Sequence, residues 1–472
     1  MNPARFSFDS GSFRDRCGRV VVDGEGIFRV LTAEGLAGWN GVANLPFFQR
    51  LMADGQIIKT TTLADDFACR FDLPAEYVAV LQHERIPFVS YPYEWSFGML
   101  RQAALLHLKV LASALDHGWI LKDASPFNVQ FCGIRSVFID TGSFVKMLPS
   151  EPWLAYRQFC EMMLFPLLLQ AYRNVDFQPL IRGSLDGISC QDFSRLISWR
   201  DMLRPGVFSH VWLQAVLDRN IQTTESTVSH LQSEGFHPDM IRHNITKLTR
   251  LMTRLHWTPA ATRWTNYRTS LPHVLQDTAA KLEFVKNVCH SRRWPLVWDL
   301  GCNDGAFSRI AAQSAETVVA MDSDHGCVER LYQALCAENS SNILPLCIDL
   351  ENQSPAMGWR GCERKPLEER GMPNLVLCLG IIHHLVIGHN IPLSSVTDWL
   401  SSLGGEIVLE FPSKKDPMVQ ALLRNKRDQY SDYSLALLDQ ALARHFEIRH
   451  RIVLPSGERT LLHAVPKNSQ RA

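Results

Sequence analysis

The sequence predicts a protein of two domains, the second of which is an α/β domain built on a mostly parallel sheet. Its 472 residues exceed what one ordinary hydrophobic core holds, and two domains of about 200 residues each are the usual solution. From residue 273 onward, strand-like apolar runs alternate with helical segments, which is the rhythm of βαβ units. Two final apolar runs flank a PSGE turn and predict an antiparallel hairpin added to that sheet.

The elements of the second domain, residues 273–472, follow from this pattern in order. An amphipathic helix is predicted over Gln276–His290, because Leu282, Val285 and Cys289 recur at helical spacing. Five short apolar runs then predict parallel strands. They are the run Leu296–Leu300 and four others that end at Asp322, at Asp349, near Gly380 and near Glu410.

The first domain is predicted to span residues 1–253, as an α+β unit of short apolar runs around one long helix. That helix is expected over Leu100–Leu115, and Gly118 is its expected stop. The stretch 254–272 carries two prolines among polar clusters, so it is the predicted linker between the domains.

Composition restricts the function. The chain has 48 Lys and Arg against 48 Asp and Glu, and this balance argues against a broad nucleic-acid-binding surface. The N-terminal segment is charged without an apolar core, and the most apolar stretch is too short to span a bilayer. The 12 cysteines are scattered singly without zinc spacing. We therefore expect a cytoplasmic protein with no membrane span, no nucleic-acid partner and no metal site.

The strongest chemical signal is the turn DLGCNDG after the first predicted strand of the second domain. Gly301 follows the strand directly, so the backbone can turn sharply and a ligand can approach closely. Asp299 lies at the carboxyl edge of the strand, where a carboxylate attracts an ammonium group. Asp322 lies at the tip of the next strand, as expected for an acid that binds the two hydroxyls of a ribose.

Two classes of ligand compete for this turn. A dinucleotide normally requires GxGxxG, but Asn303 replaces the middle glycine here and the third glycine is absent. Asp299 and Asp304 would also repel a diphosphate. S-adenosylmethionine has a ribose, an adenine, an ammonium and a sulfonium but no phosphate, so a turn rich in acids suits it better.

With an acid at the second strand tip, this turn resembles motif I and its partner in class I S-adenosylmethionine-dependent methyltransferases. The resemblance extends from about residue 264 to the end of the chain and includes the closing hairpin. It implies a Rossmann-like methyltransferase domain with S-adenosyl-L-methionine as cofactor. By position it implies that the methionine portion of the cofactor is bound by Asp299, Gly301, Asn303 and Gly305. It further implies that Asp322 binds the ribose and that Asp349 and Leu350 contact the adenine.

Candidates for a catalytic base follow the fourth and fifth predicted strands. Methyl transfer depends on positioning an in-line nucleophile more than on acid–base groups. His383 and His384 follow Gly380, where the acceptor is expected to meet the sulfonium, and Glu410 ends the fifth strand. A histidine there can take a proton from a hydroxyl or amine. The alternative is that these histidines only cap the strand or pack beneath a helix.

The first domain carries a second pattern, HG followed by D-x-x-x-x-N and D-x-G. Asp123, Asn128 and Asp140 occupy its polar positions. In phosphotransferases this arrangement supplies a base for the acceptor hydroxyl and two ligands for the magnesium of ATP. The segment Ala103–Phe144 therefore resembles the catalytic and metal-binding loops of the protein-kinase-like fold.

This kinase-like resemblance has departures. No convincing glycine-rich phosphate loop precedes the pattern, and Lys59 is the only plausible strand lysine. Leu121 and Lys122 stand where His and Arg are usual. The favoured interpretation is a kinase-like domain used for acceptor binding or regulation. Catalysis with Mg-ATP, and simple turn-capping by Asp123 and Asn128, remain the alternatives.

Together the two halves resemble a bacterial family with a kinase-like front and a methyltransferase back, to which host-specific nodulation proteins of rhizobia belong. The resemblance implies methylation of an acceptor that is a small molecule or a glycan-type molecule such as an oligosaccharide. This reaction would contribute to the production of a host-range signal. An ATP-dependent phosphotransferase and a non-catalytic binding or scaffold protein are the rival functions.

Overall fold

Residues 7–467 are described by the computed structural model, apart from residue 25, residue 425 and the segments 65–72, 149–151, 213–237 and 261–271. The predicted linker 254–272 therefore falls largely outside the described residues. None of the described helices is both long and apolar enough to cross a membrane.

The N-terminal half opens with an antiparallel sheet of five strands in the order β1-β2-β3-β5-β4. The strands are β1 (Ser7–Phe8), β2 (Gly18–Asp23), β3 (Gly26–Thr32), β4 (Thr60–Thr62) and β5 (Tyr77–His83). Helices α1 (Ala33–Val42) and α2 (Pro46–Ala53) follow β3. Thr32 accepts a hydrogen bond from the N–H of Gly35, and this cap starts α1 directly at the end of β3.

The predicted long helix is α3 (Phe97–Leu115). It begins before Leu100 because the Ser96 hydroxyl accepts a hydrogen bond from the N–H of Met99. Two small antiparallel pairs follow, β6 (Trp119–Leu121) with β9 (Phe144–Lys146) and β7 (Val129–Cys132) with β8 (Arg135–Phe138). The remaining helices of this half are α4 (Tyr156–Phe159), α5 (Phe165–Arg173), α6 (Gln178–Gly183), α7 (Cys190–Leu196) and α8 (Pro238–Arg254).

The C-terminal half is built on a sheet of seven strands in the order β12-β11-β10-β13-β14-β16-β15. Its strands are β10 (Trp294–Leu300), β11 (Ala315–Asp322), β12 (Ile343–Cys347), β13 (Leu375–Cys378), β14 (Glu406–Pro412), β15 (Phe446–Val453) and β16 (Arg459–Pro466). Strands β10–β14 are parallel, and β15 and β16 form the antiparallel hairpin. The predicted Rossmann-like sheet with a closing hairpin is confirmed.

Helices cover this sheet on both sides. They are α9 (Pro272–Cys289), α10 (Ala306–Ala312), α11 (His325–Glu338), α12 (Leu393–Ser402), α13 (Pro417–Leu423) and α14 (Leu435–His445). All residues of β12 and β13 are buried, as expected for parallel strands between two helical layers. Asp299 of β10 pairs with Ala320 of β11 and with Leu377 of β13, so the loops after these strands meet at one edge of the sheet.

The two halves share a continuous hydrophobic core. Phe88 of the N-terminal half packs edge-on against Trp298 of β10, with ring centroids 6.0 Å apart. Nearby, the guanidinium of Arg370 forms a two-bond ion pair of 2.6 and 2.8 Å with the carboxylate of Glu94, and both side chains are buried. Loops of the C-terminal half therefore lie directly against N-terminal side chains.

Candidate functional site

A cavity of about 470 Å³ opens at the carboxyl edge of the parallel sheet. The loops after β10, β11, β12 and β13 line it, together with α9, the start of α13 and the β15–β16 turn. This is the crevice where α/β sheets bind ligands. The predicted site residues that line it are Gly301, Asn303, Asp322, Asp349, Leu350, His384 and Glu410.

The glycine turn requires its glycine at position 301. Gly301 has a φ of 72°, and a Cβ there would lie 2.4 Å from Cδ1 of Ile381. Asn303 is also left-handed, with a φ of 48°, a conformation that asparagine tolerates better than most residues. Gly305 has a φ of 74° but does not line the cavity, because Leu331 fills the space beside it.

Backbone N–H groups donate hydrogen bonds to the carboxylate of Asp322. Its Oδ2 accepts one from the N–H of Asn303, and its Oδ1 accepts one from the N–H of Asp324, both at 2.9 Å. Burial raises the pKa of Asp322 above its ordinary value. Since a carboxylate can accept about four hydrogen bonds in all, Asp322 retains acceptor capacity for a ligand hydroxyl.

Asp299 lies behind the turn and does not line the cavity. It is 1% exposed, and its Oδ2 accepts a 2.6 Å hydrogen bond from the hydroxyl of Ser308. Burial raises the pKa of Asp299 to about 6. The structure therefore places this acid as a support of α10 and the turn, without direct access to a ligand.

Asp349 and Leu350 follow β12 and form the wall beside Asp322. Burial raises the pKa of Asp349 above its ordinary value, and the electrostatic interaction with the guanidinium of Arg182 opposes this rise. β12 itself ends at Cys347, two residues before the predicted end of the strand, so the acid lies in the loop.

The two histidines of the site have different surroundings. His383 is fully buried, and neither of its ring nitrogens has a hydrogen-bond partner within the described part of the chain. Burial holds the pKa of His383 well below its ordinary value, so its ring is neutral. The ring of His384 lies 4.2 Å from it, centroid to centroid, and lines the cavity. Of the pair, His384 is the one that a ligand can contact.

Glu410 is fully buried in the cavity wall and is held by two cations. Lys281 of α9 pairs with Oε2, and Arg459 of β16 lies 3.1 Å from Oε1. Burial alone would raise the pKa of Glu410, but these two charges hold it below its ordinary value. Arg459 continues the network to Asp416, at 2.7 Å. Because both of its oxygens are paired and its pKa is lowered, Glu410 is a poor base. Its ion pairs instead hold α9 and β16 together in the cavity wall.

Sequence reasoning did not find Lys281, Arg459 or Asp416. No motif marks them, because their partners come from distant elements. Lys281 lies within the amphipathic helix that the sequence predicts before β10, but that pattern does not show which of its polar residues reaches the cavity.

The N-terminal half also brings its three predicted polar residues together. The Asn128 amide donates to Oδ1 of Asp123, and the Ser143 hydroxyl lies 3.4 Å from the same oxygen. Burial, followed by the charge of Asp140, raises the pKa of Asp123 to about 6.

The cation nearest to this cluster on a strand is Arg29 of β3. Its guanidinium lies 3.4 Å from Asp140 and 3.4 Å from Asp15. The expectation for Lys59 is wrong, because Lys59 is exposed and precedes β4 instead of lying in a strand. Among the described residues, no group of three or more His, Cys, Asp or Glu side chains is arranged to hold a metal ion.

One named protein matches both halves of the chain. The nodulation protein NoeA of Rhizobium meliloti (strain 1021) is 30% identical over 455 residues, which cover 96% of this chain and 94% of that protein. The chain belongs to the NoeA family. No family model matches it.

Solved structures with a similar fold cover less than half of the chain. The N-methyltransferase NodS of Bradyrhizobium japonicum WM9, crystallised with S-adenosyl-L-homocysteine, is 14% identical and has a TM-score of 0.33, covering 44% of this chain and 94% of NodS. Magnesium protoporphyrin IX methyltransferase of Synechocystis PCC 6803, with the same molecule bound, is 18% identical and has a TM-score of 0.32, covering 43% of this chain and 93% of that enzyme.

Proposed function

We propose that the chain is an S-adenosylmethionine-dependent methyltransferase. The observation that carries this proposal is the cavity at the carboxyl edge of the sheet, in which Asp322 offers two carboxylate oxygens beside the glycine turn. Both oxygens are oriented by backbone N–H groups, so the carboxylate is preorganised for a ligand hydroxyl such as one of a ribose.

The charges of the cavity favour this donor over a dinucleotide. The lining residues of the glycine turn and of the loops after β11 and β12 include Asp304, Asp322, Asp349 and Glu351 but no Lys or Arg. A diphosphate would meet carboxylates and no Lys or Arg among these lining residues, whereas an ammonium and a sulfonium are attracted to carboxylates. Leu350 provides an apolar surface in the same wall for a planar base.

The remaining chemistry is positioning and removal of a proton. When bound, the donor supplies a methyl group on a positively charged sulfur. For an acceptor hydroxyl or amine, His384 is the cavity residue that can take the released proton. His383 has no access to a ligand, and Glu410 is held as an anion by Lys281 and Arg459, so neither competes with His384 for this role.

The proposed acceptor is a small or glycan-type molecule. The cavity lining also includes the carboxylate of Glu410 and the cations Arg459 and Lys415, and such a lining is suited to a polar acceptor. The similarity to the nodulation protein NoeA supports a role in nodulation, and we propose that the product belongs to a host-specific nodulation signal.

We propose that the N-terminal half is a kinase-like domain used for binding or regulation. The observation that favours it is the ion pair between Arg29 of β3 and Asp140, beside the bonded pair Asp123 and Asn128. In kinases a strand lysine supports the phosphates opposite the metal-binding acid. An arginine already paired with two acids is less free for that role, so phosphoryl transfer is the rival and not the favoured activity.

Calorimetric titration of the full chain separates these functions. We expect S-adenosylhomocysteine to bind and the Asp322→Ala variant to lose that binding, while Glu316→Gln, an exposed change at the opposite end of β11, leaves it intact. Binding of Mg-ATP alone would favour the phosphotransferase. Binding of neither ligand would favour a scaffold. Metabolite mass spectrometry of cells with and without the protein, searching for a difference of one CH₂ group, would then identify the acceptor.

A further inference from the structure

The N-terminal half contacts one of the two loops that carry the proposed adenosine site, and it contacts the helix that follows the other loop. One loop follows β12 and includes Asp349 and Leu350, and the other follows β11 and leads from Asp322 into α11. Neither loop is fixed by the sheet alone, because both lie beyond the last residues of their strands. Their positions depend on what packs against them.

Arg182 of α6 forms three hydrogen bonds with the first loop. Its Nη1 donates to the carbonyl oxygen of Asn352 at 2.9 Å, and its Nη2 donates to Oδ1 of Asn352 at 3.2 Å and to the carbonyl oxygen of Gln353 at 2.7 Å. A planar guanidinium that bonds two successive residues fixes the direction of the chain as well as its position.

The buried carboxylate of Glu94 holds the next residue of the same loop. The Ser354 hydroxyl donates to Oε1 of Glu94, and Arg370 fixes this carboxylate from the other side with two hydrogen bonds. Residues 352–354 are thus attached to N-terminal side chains at three consecutive positions, directly after Asp349, Leu350 and Glu351, which line the cavity.

The second loop leads into α11, and the N-terminal half contacts this helix. The imidazole of His325, at the start of α11, lies 3.4 Å from the carboxylate of Asp176. One turn further, Glu329 accepts a 2.7 Å hydrogen bond from the N–H of Gly98. The contacts to the first loop and to α11 therefore come from Glu94 before α3, from α3 and α6, and from the segment between α5 and α6.

We propose that Arg182 is a positioning residue of the donor site, which acts through residues 349–353 to hold Asp349 and Leu350 in the wall that receives the adenine. The N-terminal half is then a part of the donor-binding machinery and not only a neighbour of it. This inference rests on the proposed function. Its physical basis is that an unrestrained loop must be ordered when the ligand binds, and the cost of ordering it lowers the affinity.

The experiment compares Arg182→Met, Arg182→Lys and Arg195→Met in the full chain. Arg195 is the matched control, since it belongs to the same half but is exposed and pairs only locally with Asp192. Calorimetry measures the affinity for S-adenosylhomocysteine and for 5′-methylthioadenosine, which shares the adenosine part and lacks the amino acid. Thermal unfolding is recorded for each variant.

We expect Arg182→Met to weaken both ligands by the same factor, about tenfold, a typical size for coupling between distant groups. Arg182→Lys should recover part of the loss because it can still donate to one carbonyl, and Arg195→Met should change nothing. In the double variant with Asp349→Asn, the two losses should not add, since both residues act on one wall.

Two results would overturn the inference. If Arg182→Met bound both ligands as tightly as the unsubstituted chain, the arginine would have no positioning role. Arg182 would serve stability alone if its loss of affinity added fully to the loss caused by Asp349→Asn. The same would hold if the loss of affinity in all three variants were proportional to the decrease in unfolding temperature. Failure of the unsubstituted chain to bind either ligand would instead reject the proposed function itself.

Discussion

The backbone N–H of Asn303 donates a 2.9 Å hydrogen bond to Oδ2 of Asp322, and this bond joins the glycine turn after β10 to the tip of β11. Asn303 itself adopts a left-handed conformation at this point of the turn. The acid is thereby oriented by the main chain and not by a side chain that a ligand could displace.

This hydrogen bond predicts different ligand affinities for two substitutions of Asn303. Glycine adopts the left-handed region freely, so Asn303→Gly should keep the affinity for S-adenosylhomocysteine within about threefold, less than 1 kcal/mol. Valine is β-branched and is strained there by about 1–2 kcal/mol, so Asn303→Val should lose stability and affinity together. Calorimetry and chemical denaturation measure both quantities. Equal losses in the two variants would mean that the amide side chain, and not the backbone, forms the site.

The anchored carboxylate of Glu410 leads to a prediction on stability. Removing the charge in Glu410→Gln takes the carboxylate partner from Lys281 in a buried wall and leaves Arg459 with Asp416, and breaking a buried ion pair typically costs about 3–5 kcal/mol. Glu316→Gln removes only an exposed partner of Arg293 and should cost less than about 1 kcal/mol. Urea unfolding curves of both variants at neutral pH provide the comparison.

The difference in stability between the unsubstituted chain and Glu410→Gln should depend on pH in one direction. Since the pKa of Glu410 is lower in the folded chain than its ordinary 4.5, its stabilising contribution is complete above that value. The contribution is lost as pH falls through the lowered pKa of the folded state. The gap between the unsubstituted chain and Glu410→Gln should therefore be constant near neutrality and close in acid. A gap that stayed constant down to pH 3 would show that the ion pairs are not its source.

Local pattern was enough to predict the sheet and the centre of the site. Gly301 and Asp322 are set by one turn and one strand end, so nearby residues specify both. The end of β12 was misplaced toward Asp349, because an apolar run does not show where pairing with β11 stops. Asp299 was expected at the ligand, but its access depends on the fold around it, which puts Ser308 against its carboxylate.

Charged partners were the part that the sequence could not provide. Glu410 pairs with Lys281 across 129 positions and with Arg459 across 49, and only the folded sheet brings these elements together. In the N-terminal half, the search for a strand lysine selected Lys59, whereas the cation that reaches Asp140 is Arg29. Because only a lysine was expected at this place, the arginine that carries the same positive charge was missed.

Asp123 gives a prediction of the opposite sign to Glu410. Burial raises its pKa to about 6 from an ordinary 3.8, so between these values the folded state binds more protons and stability falls as pH rises. Above pH 6 the penalty is complete. Asp123→Asn keeps an oxygen for the Asn128 amide and should stabilise the chain by roughly 2–3 kcal/mol at pH 8, with little effect at pH 4.

Thermal unfolding at the two pH values, with the exposed Asp54→Asn change as control, tests this expectation. Such a gain would mark Asp123 as a residue retained at a cost in stability, which is typical of functional sites. If Asp123→Asn destabilised the chain at pH 8, the carboxylate would have to be a structural cap, and the kinase-like interpretation of this loop would lose its support.

The contact between the two halves can be tested at one glycine. Gly133, in the β7–β8 turn, has a φ of 59°, and a Cβ there would lie 2.0 Å from the carbonyl oxygen of Ser341, just before β12. Gly118 has a similar φ of 76°, but nothing lies within 4 Å of its Cβ position. Alanine at either position introduces the same backbone strain, and only Gly133→Ala adds a collision with the backbone of the other half.

We therefore expect Gly133→Ala to be less stable than Gly118→Ala by about 1–3 kcal/mol, the usual cost of overpacking. It should also weaken binding of S-adenosylhomocysteine, because Ser341 leads into the strand that precedes Asp349. Gly118→Ala should bind that ligand normally. Denaturant unfolding and calorimetry of the two variants measure these differences. Equal stability and equal affinity would mean that the two halves do not pack against each other through this turn. The contact of Gly133 with Ser341 would then not connect the N-terminal half to the donor site.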